Sequence, residues 1–186
     1  MRVSVLALGV VLTLSGPAVG WAAADAPPAA PYVNATYGVE VTPGPAVTLC
    51  PDRTAATNHG LTLRPGGATC EAPPAGVSAM LFAAYNALDH RNLAAFARSV
   101  CGGSGGRRSH LRIGGLPTRS CVPAAGRSSP VREYLALRRT GHGTSEEITY
   151  DVTVRGVDPG RRFSRTVMAH TRLIKLPSPH RPAVRP

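Results

Sequence analysis

Four cysteines in two equally spaced pairs constrain the fold of this chain more than any other feature. An even number of cysteines is typical of disulfides formed in an oxidising compartment. All three pairings are open, although order and spacing favour Cys50–Cys70 with Cys101–Cys121. Each local bridge of this kind would stabilise the fold by about 3 kcal/mol. Because the close ligand spacing of a zinc site is missing from the sequence, we expect structural disulfides and no metal.

The N-terminal segment has the pattern of a cleavable signal peptide. Met1-Arg2 precedes an apolar run over residues 3–14, Gly16-Pro17 interrupts it, and Ala22-Ala23-Ala24 follows. The run is shorter than a membrane anchor requires. We therefore expect residues 1–24 to be removed near Ala24, leaving a secreted or extracytoplasmic protein without a transmembrane segment.

Composition suggests how the rest of the chain is divided. Residues 25–31 are rich in Ala and Pro and predict a flexible linker, and the Pro-rich residues 177–186 predict a disordered tail. Residues 32–75 predict an extension closed by the first disulfide, with too few apolar residues to fold alone. Residues 76–176 predict the main domain.

Positive charge is concentrated in the C-terminal half. Residues 25–100 have a net charge of −1, whereas residues 101–186 have +11. Such asymmetry suggests an anionic envelope polymer or a membrane surface as partner. However, 20 of the 21 basic residues are arginine, as a GC-rich coding bias alone produces, and the few aromatic residues give no stacking platform for nucleic acid. The candidate surface residues are Arg107, Arg108, Arg138, Arg139, Arg161 and Arg162.

Residues 78–101 predict two helices joined by a short polar segment. Apolar residues recur every three or four positions in both halves. Asp89 or Asn92 would cap the second helix by accepting a hydrogen bond from a free amide. The apolar positions are Val77, Met80, Leu81, Ala84, Tyr85 and Leu88, followed by Leu93, Phe96, Ala97 and Val100.

Alternation of apolar and polar residues predicts strands in the rest of the chain. It is clearest over residues 148–155, and residues 109–116 and 131–139 predict two more strands. Residues 156–160 predict a hairpin turn into a return strand over residues 161–176. The predicted fold class is therefore α+β: an N-terminal helical pair packed on a cone-like antiparallel meander of three to four strands, with a disulfide-closed N-terminal extension.

The segments 82–89 and 93–101, together with the long final hairpin over 148–176, carry a resemblance to a known family. Their order resembles the small exported cystatin-like domains of GC-rich bacteria, also described as nuclear-transport-factor-two-like or lumazine-binding-like. The resemblance covers about residues 76–176 and implies a cone whose mouth holds ligands or partners, or in some branches performs acid–base chemistry. Many members are non-catalytic, and no residue here matches a catalytic position.

Three residues would face the interior of such a cone: Tyr85, Tyr150 and His170. Strand alternation places Asp151 on the face opposite Tyr150. The alternative leaves His170 in solvent on an exposed sheet face. Gly102-x-Ser104-x-Gly106 has the spacing of a nucleophile elbow but follows a helix instead of a strand, so we interpret it as a loop.

These observations predict a small exported, non-catalytic binding or accessory protein of the cell envelope. Its partner would be an unidentified protein or an anionic envelope component. The alternatives are a cone pocket that binds a small ligand or performs weak acid–base catalysis, and binding of an anionic surface by the arginine-rich half. We predict no enzyme activity, catalytic residue, cofactor or metal.

Overall fold

The computed structural model describes residues 30–51, 60–71, 76–103, 105–123, 130–140 and 147–176. The predicted signal peptide, the predicted tail and all but the last two residues of the predicted linker lie outside these ranges, as does Ser104. The strands are β1 (Tyr32–Asn34), β2 (Val39–Val41), β3 (Val47–Pro51), β4 (Gly60–Pro65), β5 (Ser78–Tyr85), β6 (Arg107–Ile113), β7 (Leu116–Cys121), β8 (Val131–Arg138), β9 (Ile148–Arg155) and β10 (Thr171–Leu173). The helices are α1 (Leu93–Cys101) and α2 (Arg162–His170), with a short 3-10 turn at Pro159–Arg161.

The strands form two antiparallel sheets. The large sheet has seven strands in the order β3-β4-β5-β9-β8-β7-β6, and the small sheet has three in the order β1-β2-β10. At the centre of the large sheet, β9 pairs along its whole length with β5 and with β8. The small sheet joins the two ends of the described chain, because β2 pairs with both β1 and β10.

The two faces of the large sheet are covered differently. Its inner face, which carries Leu81, Tyr134 and Tyr150, packs against the small sheet and α2 and forms the main core. Its outer face carries Leu135, on which α1 packs Phe96 and Ala97 in a separate, smaller cluster. Burial of apolar side chains on both faces therefore holds the sheet between two layers.

The predicted fold class is wrong, first because residues 78–85 form a strand. Ala79, Leu81 and Ala83 alternate into the main core, while Met80 and Phe82 lie on the outer face and are each 41% exposed. This segment is apolar on both faces, so it satisfies the helical spacing and the strand alternation equally well. Pairing with β4 on one side and β9 on the other decides for the strand.

The predicted second helix is confirmed as α1, and its cap is Asn92. The Asn92 side chain accepts a hydrogen bond from the amide of Ala95 at 2.9 Å, and its extended backbone is that of an N-cap. The helix ends at Cys101, followed by Gly102 with a positive φ of 74°. α1 is thus one helix on a seven-stranded sheet, and no helix precedes it among the described residues.

The predicted final hairpin is also wrong, because α2 replaces most of the return strand. The loop after β9 leads into a helix that buries Phe163, Val167 and Met168. Phe163 and Val167 are four residues apart, a spacing that suits one face of a helix as well as one face of a strand. Only β10 of the expected strand remains, and it pairs with β2 instead of β9.

Both disulfides have the pairing that the spacing favoured. Cys50–Cys70 joins β3 to the segment after β4, and Cys101–Cys121 joins the end of α1 to the end of β7. The two bonds indicate an oxidising environment. α1 and α2 have nine residues each, so the described part of the chain contains no helix that could span a membrane.

Candidate functional site

A cavity of about 410 Å³ opens at one end of the inner face, where β8 begins and β9 ends. The segment that leads into α2 closes its other side. This volume lies within the range of small-molecule sites in proteins. The lining residues are Val122, Pro130, Val131, Arg132, Tyr134, Val154, Gly156, Val157, Asp158, Gly160, Arg161 and Ser164.

The loop after β9 adopts backbone conformations that shape the cavity. Gly156 has a φ of 88°, and its amide donates to the carbonyl of Pro130 at 2.8 Å. A Cβ atom at Gly156 would lie 2.4 Å from the carbonyl oxygen of Gly76, so only glycine fits here. Gly160 and Arg161 follow with φ values of 59° and 57°. Arg161 therefore lies in the left-handed region that glycine favours.

Asp158 starts α2 by satisfying its free amides. The carboxylate accepts hydrogen bonds from the amides of Phe163 and Ser164, both at 2.9 Å, and from the Ser164 hydroxyl at 2.6 Å. Amides at the start of a helix carry partial positive charge, which stabilises a carboxylate there. The one acid among the lining residues is thus held by α2.

Arg132 and Arg161 are the two cations of the cavity. Arg132 extends from the inner face at the start of β8, on the same face as Tyr134, and Arg161 reaches the cavity from the turn before α2. Among the described residues, neither guanidinium has a recorded ion pair or side-chain hydrogen bond. The cavity therefore contains two arginines and one acid that is already hydrogen-bonded.

Tyr134 is one of the lining residues, but its hydroxyl is buried and not accessible from the cavity. The residue is fully buried, and its hydroxyl has no hydrogen-bond partner among the described residues. A buried hydroxyl without a partner destabilises a fold by about 1–3 kcal/mol. At the rim, Val122 and Val157 are 51% and 72% exposed. The cavity thus combines an apolar surface with a small number of polar groups.

The lining offers hydrogen-bonding groups and apolar contacts to a ligand. The lining contains neither histidine nor cysteine, and its one serine donates its hydroxyl proton to Asp158. A nucleophile needs an adjacent base that accepts its proton and is itself oriented for transfer. Asp158 is held by two backbone amides at the start of α2, where it acts as a cap.

A pair of carboxyl groups on the outer face was missed by sequence reasoning. Glu133 on β8 and Asp151 on β9 are hydrogen-bonded, and the Thr153 hydroxyl also donates to Glu133 at 2.8 Å. The pKa of Asp151 is raised from 3.8 to about 9, mainly by burial and also by the hydrogen bond and the charge of Glu133. The pair therefore holds a proton at neutral pH. The expected orientation of Asp151, opposite Tyr150, is the one the structure has.

The three predicted cone residues do not form one site, and none of them lines the cavity. Tyr150 is fully buried and donates to the carbonyl of Tyr37 at 2.6 Å, while Tyr85 contacts the ring of Tyr37 at 5.2 Å between centroids. His170 lies elsewhere, with its Nδ1 2.8 Å from the carbonyl of Thr42. Burial raises the pKa of Tyr150, and the nearby Arg138 guanidinium partly offsets this.

The six predicted surface arginines are spread over the molecule. Arg107 and Arg108 begin the edge strand β6, and Arg162 begins α2. At the opposite end of β8, Arg138 donates to the carbonyls of Gly38 and Ile174, and Arg139 pairs with Glu147 at 3.4 Å. Of the six, Arg161 alone lines the cavity, whereas its partner there, Arg132, was not predicted.

A serine–histidine contact on α1 does not form a catalytic arrangement. Ser99 Oγ lies 3.3 Å from His90 Nε2, but the hydroxyl donates to the carbonyl of Phe96 at 2.7 Å. No carboxylate orients His90 among the described residues. Among all the residues that the structure describes, no group of three or more His, Cys, Asp or Glu side chains could hold a metal ion.

Comparisons with known proteins give no family: no family model matches the chain, and no curated protein matches it. The resemblance to cystatin-like domains stays a prediction. Two of the segments that carried it have changed, because β5 replaces the first helix and α2 replaces most of the final hairpin. The cavity and its lining residues are therefore the basis for a functional proposal.

Proposed function

We propose that this protein is an exported, non-catalytic binding protein that holds a small ligand in the cavity beside α2. The observation that carries the proposal is the cavity of about 410 Å³, with apolar walls and a few polar groups. Export is supported by the two disulfides and by the signal-peptide pattern of residues 1–24. The proposal includes an accessory role in the cell envelope, which export supports.

Two observations favour this proposal over the alternatives. The buried carboxyl pair of Glu133 and Asp151 lies on the opposite face of the sheet from the cavity, so it does not face a substrate there. The candidate surface arginines are dispersed, and Arg138 and Arg139 have partners within the protein. Acid–base catalysis and binding of an anionic surface therefore have less support than ligand binding.

The test is titration of the purified, disulfide-bonded protein with the uncharged fluorophore N-phenyl-1-naphthylamine. We expect a saturable fluorescence increase at one site per chain. Replacing the rim residues in the double variant Val122→Asn, Val157→Asn should weaken binding about tenfold, because two apolar contacts with the probe are lost. Both side chains are exposed, so the fold should be unaffected.

Val33→Asn is the matched control. Val33 is 48% exposed on β1, in the small sheet, and does not line the cavity. Its replacement should leave probe binding unchanged. Non-saturable binding, or equal binding by the rim variant and the wild-type protein, would overturn the proposed function.

A further inference from the structure

We infer that the ligand is a small organic anion: an apolar body with one carboxylate-like group that binds Arg132 and Arg161. This inference rests on the proposed function, since it names the class of ligand for the same cavity. A carboxylate or sulfonate accepts two parallel hydrogen bonds from a guanidinium, and such charge-assisted bonds are the strong ones. The remaining lining then contacts the apolar body.

The charge balance of the cavity favours an anion. Two arginines outside the cavity, Arg139 and Arg172, pair with the acids Glu147 and Glu40, the second at 2.7 Å. In the cavity, Asp158 is the one lining residue that could neutralise the arginines, and three hydrogen bonds direct its carboxylate to the start of α2. A bound anion would supply the missing negative charge.

The backbone of Arg161 is a second, independent observation. Its φ of 57° and ψ of 36° place a residue with a long side chain in the left-handed region. This conformation costs about 1–2 kcal/mol relative to the right-handed one for residues other than glycine. Strained residues of this kind are found at ligand-binding sites. With this left-handed backbone, the turn places Arg161 among the residues that line the cavity.

Apart from the two arginines, Asp158 and Ser164, most of the lining is apolar. The apolar body would contact the remaining walls, which are formed by Val122, Pro130, Val131, Val154 and Val157.

A phosphate ester fits the cavity less well than a carboxylate. Phosphate sites use the free amides at a helix N-terminus. At α2, Asp158 already occupies the amides of Phe163 and Ser164. The arginines are then the remaining anion-binding groups, and their guanidiniums can hold a carboxylate or a sulfonate without amides from a helix.

The experiment compares two fluorophores with the same aromatic body. 8-Anilinonaphthalene-1-sulfonate carries a sulfonate, and N-phenyl-1-naphthylamine lacks it. We expect the wild-type protein to bind the sulfonate probe at least about tenfold more tightly, since one charge-assisted hydrogen bond contributes about this factor. The double variant Arg132→Gln, Arg161→Gln should lose this preference and keep its affinity for the uncharged probe.

The control removes the same charge elsewhere. Arg107→Gln with Arg108→Gln changes two exposed arginines of β6 that do not line the cavity. Because the chain has a net charge of +11, this control separates site binding from general attraction of an anion to the surface. It should keep the preference within about twofold.

The outcomes separate the inference from the proposed function. If both probes bind equally in the wild-type protein, or if the two arginine double variants behave alike, the inference fails. Binding of the uncharged probe that the rim variant weakens would still support a ligand cavity. If neither probe binds saturably, the proposed function fails and the inference fails with it.

Discussion

Arg132 lines an open cavity on the inner face of the large sheet, whereas the next residue of β8, Glu133, meets Asp151 in a closed contact on the outer face. The two arginines line a cavity that solvent or a ligand can enter. The carboxyl pair is buried, and burial together with like charge keeps a proton on it. A pair of like charges is therefore a candidate binding site only where it borders an open cavity. Arg132 and Glu133, which are neighbours on β8, belong to an open pair and a closed pair respectively.

The largest effect is expected from the acid on the cavity side. Asp158→Ala removes three hydrogen bonds and leaves the Ser164 hydroxyl, in a side chain that is 1% exposed, without its acceptor. Loss of the cap and of this buried bond should lower the free energy of unfolding by about 3 kcal/mol. Urea unfolding followed by circular dichroism, with the disulfides intact, measures it.

Asp158→Asn is the control for this substitution, since an amide oxygen still accepts from a backbone amide. It should cost less than the alanine variant. If Asp158→Ala left stability unchanged, the carboxylate would be free to neutralise Arg132 and Arg161. The like charges at the cavity would then be neutralised within the protein, as those on the outer face are.

The second prediction concerns the carboxyl pair and depends on pH. The folded-state pKa of Asp151, about 9, lies above its usual 3.8. The protonated group therefore favours folding fully below about pH 4, and this contribution is lost as the pH rises from 4 to 9. Asp151→Asn removes the need for a proton, so it should stabilise the protein by about 2 kcal/mol at pH 8.

Urea unfolding of the wild-type protein and of Asp151→Asn at pH 4 and pH 8 tests the direction of this pH dependence. The stabilisation by Asp151→Asn should be absent at pH 4 and present at pH 8. Asp158→Asn, at an acid that is hydrogen-bonded to amides, should destabilise at pH 8 instead. If both asparagine variants destabilise at pH 8, the carboxyl pair is not protonated and the proposed difference between the faces is wrong.

How much of the fold could be predicted depended on whether a segment has one apolar face or two. β9 alternates cleanly, and α1 begins at a side chain that caps it, so both were predicted. β5 is apolar on both faces. In α2, Phe163 and Val167 are four residues apart, so they would share one face in a helix and in a strand alike. In both segments, contacts with other parts of the fold decided between helix and strand. The local spacing of apolar residues does not reveal those contacts.

The candidate site was less predictable than the fold. Tyr134 and Asp158 are far apart in the chain and line the same cavity only because α2 folds back over the inner face. The register between β8 and β9 brings Glu133 next to Asp151, and no local motif encodes that register. Arg161 was singled out for its charge alone. A sequence signal that could have pointed to its role is the Asp-Pro-Gly turn just before it, where an acid precedes a helix start.

The smallest effect on stability, and the sharpest separation of stability from binding, is expected from Arg161→Gly. Glycine adopts a φ of 57° without strain, which offsets its greater freedom in the unfolded chain, so the free energy of unfolding should stay the same or rise by up to about 1 kcal/mol. Affinity for 8-anilinonaphthalene-1-sulfonate should nevertheless fall about tenfold, because one of the two guanidiniums is gone. Arg162→Gly, one residue later at the start of α2, is the matched control: it should lower stability and leave probe binding unchanged. A loss of stability in Arg161→Gly would mean that its side chain supports the fold, and the strained backbone would then no longer argue for a ligand.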